Sequence, residues 1–258
     1  MYKFVQVKTS AIYPFINGYY ESLLAPMDDM WEDGILPNST YYRIDEDETV
    51  GFFAVDDENV MTQFYVVDLK HEDVFLDVIK YFHIKKAYVS SYDPVFKAVS
   101  DKFKNAATVN TLLYKQSSEP VITIDMDVEV QTATLDELDL ITAYYEMNDL
   151  GGPWLENYLR RVINSEGVLI FKSENMLVGT GEFRVSKSSP EYANVGMTVD
   201  VKCRNKGLGR YILAYMRDHC NQLGYDTICS TTTDNHASKR CIGACGYEPY
   251  HTIYDVWL

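Results

Sequence analysis

The stretch Ala193-Asn194-Val195-Gly196-Met197-Thr198-Val199-Asp200-Val201 leads into Arg204-Asn205-Lys206-Gly207-Leu208-Gly209-Arg210, and the join between them decides the fold. The first run reads as a strand. The second opens an amphipathic segment with Leu208, Ile212, Leu213, Met216, Cys220 and Leu223 at helical spacing and Arg210, Arg217, Asp218 and Asn221 on the other face. It stops at Gly224, a good C-terminal cap. A strand that delivers a glycine loop into a helix start points several backbone N–H groups and the positive helix end at one spot. That is a natural seat for a phosphate or pyrophosphate. Gly207 and Gly209 would equally suit a bare tight turn, but Arg204, Lys206 and Arg210 bring positive charge to the same point in a chain of net charge −15.

The spacing Arg-x-x-Gly-x-Gly separates the known phosphate cradles. A Walker loop needs Lys and Ser or Thr after its second glycine, and the dinucleotide fingerprint needs a small residue where this chain has Ile212. What remains resembles the acyl-CoA pyrophosphate loop of the GNAT (GCN5-related N-acetyltransferase) superfamily. Downstream, Asp226 to Thr233 reads as a strand, and Asn235 opens a helix through Cys241 that ends at Cys245-Gly246-Tyr247. Asn235, Ala237, Ser238, Ile242, Gly246 and Tyr247 follow a second GNAT motif in order and spacing, although Asn235 alone would serve as a helix N-cap.

With 258 residues, 47% of them hydrophobic, the chain can build one large or two small cores. Lys and Arg total 23 against 38 Asp and Glu, which disfavours nucleic acid as a partner. No apolar run approaches membrane-spanning length, and Met1 to Ser10 has no signal core, so a cytoplasmic protein is expected. Five cysteines, all between Cys203 and Cys245, suit a reducing compartment and buried thiols. Cys241 and Cys245 lie four apart on the expected helix, but no further Cys or His pair completes a zinc set, so no metal is expected.

The short polar stretch Ser117 to Pro120 divides two halves with the same order of elements. In the second, Thr134-Leu135-Asp136-Glu137 reads as a capping box leading a helix through Tyr145, and Pro153 to Ile163 suits another helix. Strands follow at Val168 to Lys172, Leu177 to Val185 and Tyr192 to Val199, and Tyr250 to Leu258 is the final strand. In the first, a helix over Ile12 to Leu24 precedes strands at Thr40 to Ile44, Val50 to Val55 and Val60 to Val67. A helix (Glu72 to Phe82), a strand (Lys86 to Ser91), a helix (Pro94 to Phe103) and a strand (Thr108 to Lys115) come next. Where the second half has its glycine loop, the first has Asp68-Leu69-Lys70-His71-Glu72, without glycine and with acids near the helix start.

The expectation is therefore an α/β fold of tandem GNAT-like domains, each a mixed, mostly antiparallel sheet flanked by helices. Residues 1–117 form the degenerate copy and residues 121–258 the copy with the acyl-CoA site. The order resembles the two-domain glycine N-acyltransferase and FR47-like branches. The resemblance implies that a splayed pair of strands admits the pantetheine arm of acetyl-CoA, with Met197, Thr198 and Val199 supplying main-chain bonds. It implies that the N–H groups of Asn205, Lys206, Gly207, Leu208, Gly209 and Arg210 hold the pyrophosphate beside Arg204, and that Asn235 and Ser238 lie along the pantetheine. An amine, from a small molecule or an amino terminus, would then attack the thioester in a ternary complex. The family's usual general-base positions hold Ala193 and Ser230, and its general-acid Tyr is replaced by Ile242. Glu191, two residues before Ala193 and so on the same strand face, is the first substitute base; Glu182, on the neighbouring strand, is the second. Both would equally suit a solvated strand end. Tyr211, Tyr247 and Tyr250 are candidate acids in a chain with 21 tyrosines. The turn Asn148-Asp149-Leu150-Gly151-Gly152-Pro153-Trp154 reads as a substrate flap or a tight helix connection, with Asp149 and Glu156 suited to a cationic amine. Two rivals stand beside the enzyme: an acyl-CoA sensor that keeps the loop without turnover, and an unrelated nucleotide-binding enzyme. A homodimer is left open.

Overall fold

The computed structural model describes residues 2–102, 107–117 and 126–258. The chain runs through β1 (Lys3–Val7), α1 (Tyr13–Ser22), α2 (Leu36–Asn38), β2 (Thr40–Asp45), β3 (Thr49–Val55), β4 (Met61–Val66), α3 (Val74–Phe82), β5 (Lys86–Ser90), α4 (Pro94–Ser100) and β6 (Ala107–Gln116). It continues with β7 (Glu129–Thr132), α5 (Leu138–Met147), α6 (Leu155–Asn164), β8 (Val168–Ser173), β9 (Met176–Val185), β10 (Tyr192–Val199), α7 (Leu208–Gln222), β11 (Asp226–Thr232), α8 (His236–Ala244) and β12 (Tyr247–Trp257). A π-helical turn, Trp31–Ile35, precedes α2.

Two compact units form, and neither is continuous in sequence. The first comprises Met1–Leu113, Lys187–Ser189 and Tyr250–Leu258, the second Tyr114–Ser186 and Pro190–Pro249. Of the polar stretch expected to divide the halves, residues 118–120 lie outside the described residues, as does the expected start of the second domain at 121.

In the first unit the strands run in the order β1-β2-β3-β4-β5, and β12 lies antiparallel beside β5, from Ile253 opposite Ser90 to Trp257 opposite Lys86. The last strand thus extends the first unit's sheet rather than completing the second half, as the element order led us to expect. Its alternation explains why. Val256 packs into the cluster of Phe53, Phe64, Phe75 and Phe96, and Ile253 into the cluster of Tyr19, Trp31, Phe52 and Tyr92. Between them Asp255 pairs with Lys86 at 3.1 Å and accepts from the Asn110 amide.

The second unit has the order β11-β10-β9-β8-β7, antiparallel except for β10 and β11. Helix α7 packs against β9 and β10 because β9 offers glycines. A Cβ on Gly179 would sit 2.3 Å from Ile212 Cδ1, and one on Gly181 2.3 Å from Met216 Sδ. The capping box Thr134/Glu137 forms as expected and leads into α5, which with α6 builds a core of Leu138, Ile141, Leu155, Leu159, Val168 and Ile170. Arg217, expected on the polar face of α7, is instead buried. Its guanidinium holds Asp218 and donates to the Cys245 carbonyl at 3.4 Å, placing a cation at the C-terminus of α8.

The first unit also holds a carboxylic acid where water does not reach. Asp93 caps α4 by accepting from Phe96 N–H at 2.9 Å and is 1% exposed. Burial pushes its pKa up to about 7, despite hydrogen bonds from Phe96 and Val95 N–H and from Tyr19 that favour the ionised form. The unfolded chain releases this proton near pH 4 and the folded chain near pH 7, so the group's stabilising effect is full below pH 4 and fades as pH rises through 7. Asn caps a helix as well as Asp but does not ionise. Asp93→Asn should therefore raise the melting temperature relative to the parent at pH 8, by an amount on the order of 4 kcal/mol in stability, with the difference vanishing near pH 4. Thermal scans of both proteins across that range check it, and a pH-independent difference would refute it.

Candidate functional site

The site is made by two strands that part. Strands β10 and β11 run parallel through Tyr192, Ala193 and Asn194, opposite Asp226, Thr227 and Ile228, and their pairing ends there. Strand β10 keeps its antiparallel partner β9 as far as Val199 opposite Gly179. The bonds from Ser186 N–H to Tyr192 C=O and from Asp200 N–H to Val178 C=O fix the phase of that ladder. Even-numbered residues of β10 bond to β9, and odd-numbered ones turn their main chain the other way. Met197 and Val199 therefore direct N–H and C=O into the opening, whereas Thr198 turns its main chain toward Thr180. Thr198 is thus a correction to the set of main-chain donors and acceptors. The Val199 carbonyl also accepts from Arg204 Nε at 3.1 Å.

At the open end stands the first turn of α7. Asn205 and Gly207 take left-handed conformations, with φ of 62° and 88°, which Asn tolerates and Gly adopts freely. This double turn brings the chain from β10 into a fifteen-residue helix whose N-cap, Gly207, supplies no side-chain partner. Tyr211 N–H is bonded back to Gly207 C=O, so the N–H groups of Leu208, Gly209 and Arg210 precede the first helical rung. Gly209 lies against β10: a Cβ there would be 3.1 Å from Met197 Sδ and 3.5 Å from Val199 Cγ2. Lys202, Arg204, Lys206 and Arg210 are exposed around this point. Arg204 is oriented by Val199 C=O and, at 3.4 Å, by Asn148 Oδ1, which also accepts from Val201 N–H at 3.0 Å. Asn148 is the buried start of the turn expected to form the substrate side, and it ties the end of α5 to the loop. The residues fit a pyrophosphate-bearing acyl donor: free helical N–H groups, cations and an unpaired strand edge lie in one line.

The first unit keeps the parting but not the cradle. Strands β4 and β5 are parallel and share the rung Met61 to Ala87. After β4, Asp68 accepts from Lys70 N–H at 2.9 Å just as Asp200 accepts from Lys202 N–H at 2.7 Å after β10, but the turn that follows Asp68 has no glycine, and its His71, Glu72, Phe75 and Leu76 N–H groups bond back to the chain's own carbonyls.

Asn235 caps α8 by accepting from Ser238 N–H at 3.1 Å, so the two residues named from the second motif are joined through that cap. The empty proton-handling positions stay empty: Ala193 and Ile242 are buried and Ser230 is an exposed residue of β11. Glu191 is exposed and precedes β10 at the closed end of the pair, where its carbonyl accepts from Asp226 N–H. Glu182 lies opposite Gly196, and its Oε1 is 3.0 Å from where a Gly196 Cβ would be, so the missing side chain lets the carboxylate lean across β10. The structure does not bring the two acids together. Glu182 Oε2 accepts from Tyr158 OH at 2.7 Å, Oε1 pairs with Arg184 at 3.3 Å, and Arg184 donates to Tyr158 OH at 2.9 Å. Because Gly209 contacts the odd-numbered residues of β10, Glu182 and Gly196 share the opposite face, that of α5 and α6. Sequence reasoning missed Tyr158 and Arg184. Arg184 follows Glu182 by two residues on one strand and so shares its face, a signal that was available.

The remaining candidates lie elsewhere. Tyr211 packs on Phe171, and Tyr247 is buried with its hydroxyl 2.6 Å from Thr227 Oγ1; burial holds its pKa well above the ordinary value. Tyr250 packs in the first unit's aromatic cluster. In the expected flap, Trp154 is exposed and meets Tyr158 edge-on at 5.8 Å, and Glu156 pairs with Arg160 at 2.9 Å. Among the described residues no group of three or more His, Cys, Asp or Glu could hold a metal ion, and no helix is long and apolar enough to cross a membrane.

Residues 8–117 match the family model described as an acetyltransferase (GNAT) domain, and residues 136–247 match the acetyltransferase (GNAT) family model. No curated protein matches in sequence. Among solved structures, the chain is similar to an acetyltransferase of the GNAT family from Colwellia psychrerythraea, at 24% identity over 99% of both chains with a TM-score of 0.92. It is similar also to a GCN5-related N-acetyltransferase from Sphaerobacter thermophilus, at 9% identity over 99% of this chain and 95% of that one, TM-score 0.68. A third is a tandem GNAT protein from the clavulanic acid biosynthesis pathway, at 13% identity over 100% and 98%, TM-score 0.64. At these identities the likeness is one of fold.

The two loop glycines carry different constraints. Gly207→Ala places a side chain at positive φ and should lower stability by about 1 kcal/mol. Gly209→Ala crowds the mobile end of Met197, touches Val199 at ordinary contact distance and gains helix propensity, so its change should stay within about 0.5 kcal/mol. Urea unfolding of both variants checks the contrast; equal losses would contradict it.

Proposed function

The chain belongs to the GNAT superfamily of acetyltransferases, with two such domains in tandem, and from that premise we propose that it is an acetyl-CoA-dependent N-acetyltransferase whose donor site lies in the second domain. The observation that carries this reading is the parting of β10 from β11 beside the N-terminus of α7. The pyrophosphate rests on the N–H groups of Lys206 to Arg210 with Arg204, Lys206 and Arg210 as counter-charges. The pantetheine arm runs along β10, exchanging hydrogen bonds with Met197 and Val199, and Asn235 and Ser238 border it. The thioester then lies at the fork, next to Gly196.

The acceptor is a primary amine, of a small molecule or an amino terminus, and it approaches from the face of α5 and α6. Glu182 takes the proton from the incoming ammonium. The amine nitrogen then bonds to the thioester carbon, the C–S bond breaks, and the departing CoA thiolate takes up, through solvent, the second proton that the nitrogen releases as the amide forms. Tyr158 and Arg184 hold the Glu182 carboxylate in place. Met197 N–H, the free main-chain donor beyond the fork, faces the developing oxyanion. Holding amine and thioester in register supplies much of the acceleration.

One observation favours a second reading, a non-catalytic acyl-CoA sensor: Ala193, Ser230 and Ile242 stand where the family usually handles protons. Calorimetric titration with acetyl-CoA, with ATP and NAD as controls, tests the shared donor site. Selective acetyl-CoA binding is expected, and Gly209→Glu should abolish it, because the added side chain starts against Met197 and Val199 and sets a carboxylate beside the N–H groups offered to the pyrophosphate; circular dichroism of the variant checks that the fold is kept. Unchanged affinity in that variant would sink the reading. Mass spectrometry on an amine panel then separates enzyme from sensor, and Glu182→Gln should slow transfer at least tenfold without altering acetyl-CoA affinity, while Glu191→Gln should change neither.

A further inference from the structure

Asn194 is the last residue of β10 paired with β11, it is 3% exposed, and its Nδ2 has no hydrogen-bond partner among the described residues. A buried amide donor left unsatisfied costs about 1–3 kcal/mol, so folds rarely keep one unless something else supplies the acceptor. Its place in the sheet says what that is. Asn194 is two residues from Gly196 and so on the same face of β10, across from Arg184 as Gly196 is across from Glu182. The orphan donor therefore sits one strand repeat, roughly 6.5 Å, from the position over which the Glu182 carboxylate leans. This floor carries an acceptor of protons at one end and a donor at the other.

We propose that Asn194 selects the acceptor: the substrate amine carries a carbonyl or carboxylate oxygen on the carbon next to its amine-bearing carbon, as an α-amino acid, its amide or a peptide amino terminus does. The amine nitrogen meets Glu182 and the neighbouring oxygen accepts from Asn194 Nδ2. Two hydrogen bonds of about 2.9 Å, angled toward each other from the ends of one such unit, span the repeat. Arg184, between the two rows, adds a positive charge that suits the same oxygen. A plain alkylamine leaves Asn194 as unsatisfied as before, and a site built around a polar group rejects ligands that lack its complement. This inference rests on the acetyltransferase reading, and it narrows the acceptor class within it.

The test compares glycinamide and L-alaninamide with propylamine and isobutylamine, at saturating acetyl-CoA, in the parent protein and in Asn194→Ala and Asn194→Asp. The parent should acetylate the amides with a higher kcat/KM than the alkylamines. Asn194→Ala should cut that ratio about tenfold, the loss of one hydrogen bond. Asn194→Asp has the same shape but turns the donor into an acceptor, and it should reverse the preference. Acetyl-CoA affinity, measured by calorimetry, should be equal in all three proteins, which shows the fold and donor site intact. A parent protein with no preference, or a preference untouched in both variants, overturns the proposal and leaves the acetyltransferase reading standing. Acetyl-CoA binding without transfer to any amine overturns the proposal in favour of the sensor. Absence of acetyl-CoA binding in the parent removes the acetyltransferase reading and the proposal together.

Discussion

The separation of β10 from β11 after Asn194 is the constraint on which the second unit depends. A strand buried in a sheet must satisfy its main-chain groups on both sides, and β10 does so only as far as the fork. Beyond it, Met197 and Val199 turn toward a gap, and the surroundings are arranged to keep that gap open. Helix α7 presses on β10 through Gly209, β9 makes room for it at Gly179 and Gly181, and Asn148 pins the loop at the mouth. Closing the gap would satisfy the strand and destroy the cleft.

Much of this was legible in the residues. The phase of Leu208, Ile212, Leu213 and Met216 and the stop at Gly224 gave the helix. The short apolar runs Val168 to Lys172 and Leu177 to Val185, bounded by the turns Ser173-Glu174-Asn175 and Lys187 to Pro190, gave the strands, because strands buried on both faces leave continuous apolar runs in the sequence. Short edge strands leave none. β1, Lys3–Val7, and β7, Glu129–Thr132, are largely exposed and have no clear period, so the sequence gives no reason to expect a strand at either. Arg217 was misplaced for the opposite reason. A guanidinium can be buried when a helix end offers carbonyls to it, and the Cys245 carbonyl comes from a helix two elements further on. The set Tyr158, Glu182 and Arg184 was half legible, since strand period joins two of its members and only the packing of α6 adds the third.

The two units make different use of one arrangement. In both, a parallel pair opens beyond a short rung. In the second unit the opening is faced by glycines, free helical N–H groups and cations. In the first, the N–H groups of the corresponding turn bond to the chain's own carbonyls, and two acids, Glu72 and Asp73, stand at the start of α3. The residues of the loop after the parted strand separate the two, with the order of elements unchanged.

The placement of residues 250–258 in the first unit bears on how the chain reaches its native state. A sheet that begins at Lys3 takes one of its strands from more than two hundred residues later. On the ribosome the emerging first unit has a strand edge at β5 that waits until residues 253–257 are made, by which time the second unit's own strands, β7 to β11, are already complete. The half that appears first in the sequence is thus the half that can finish folding last.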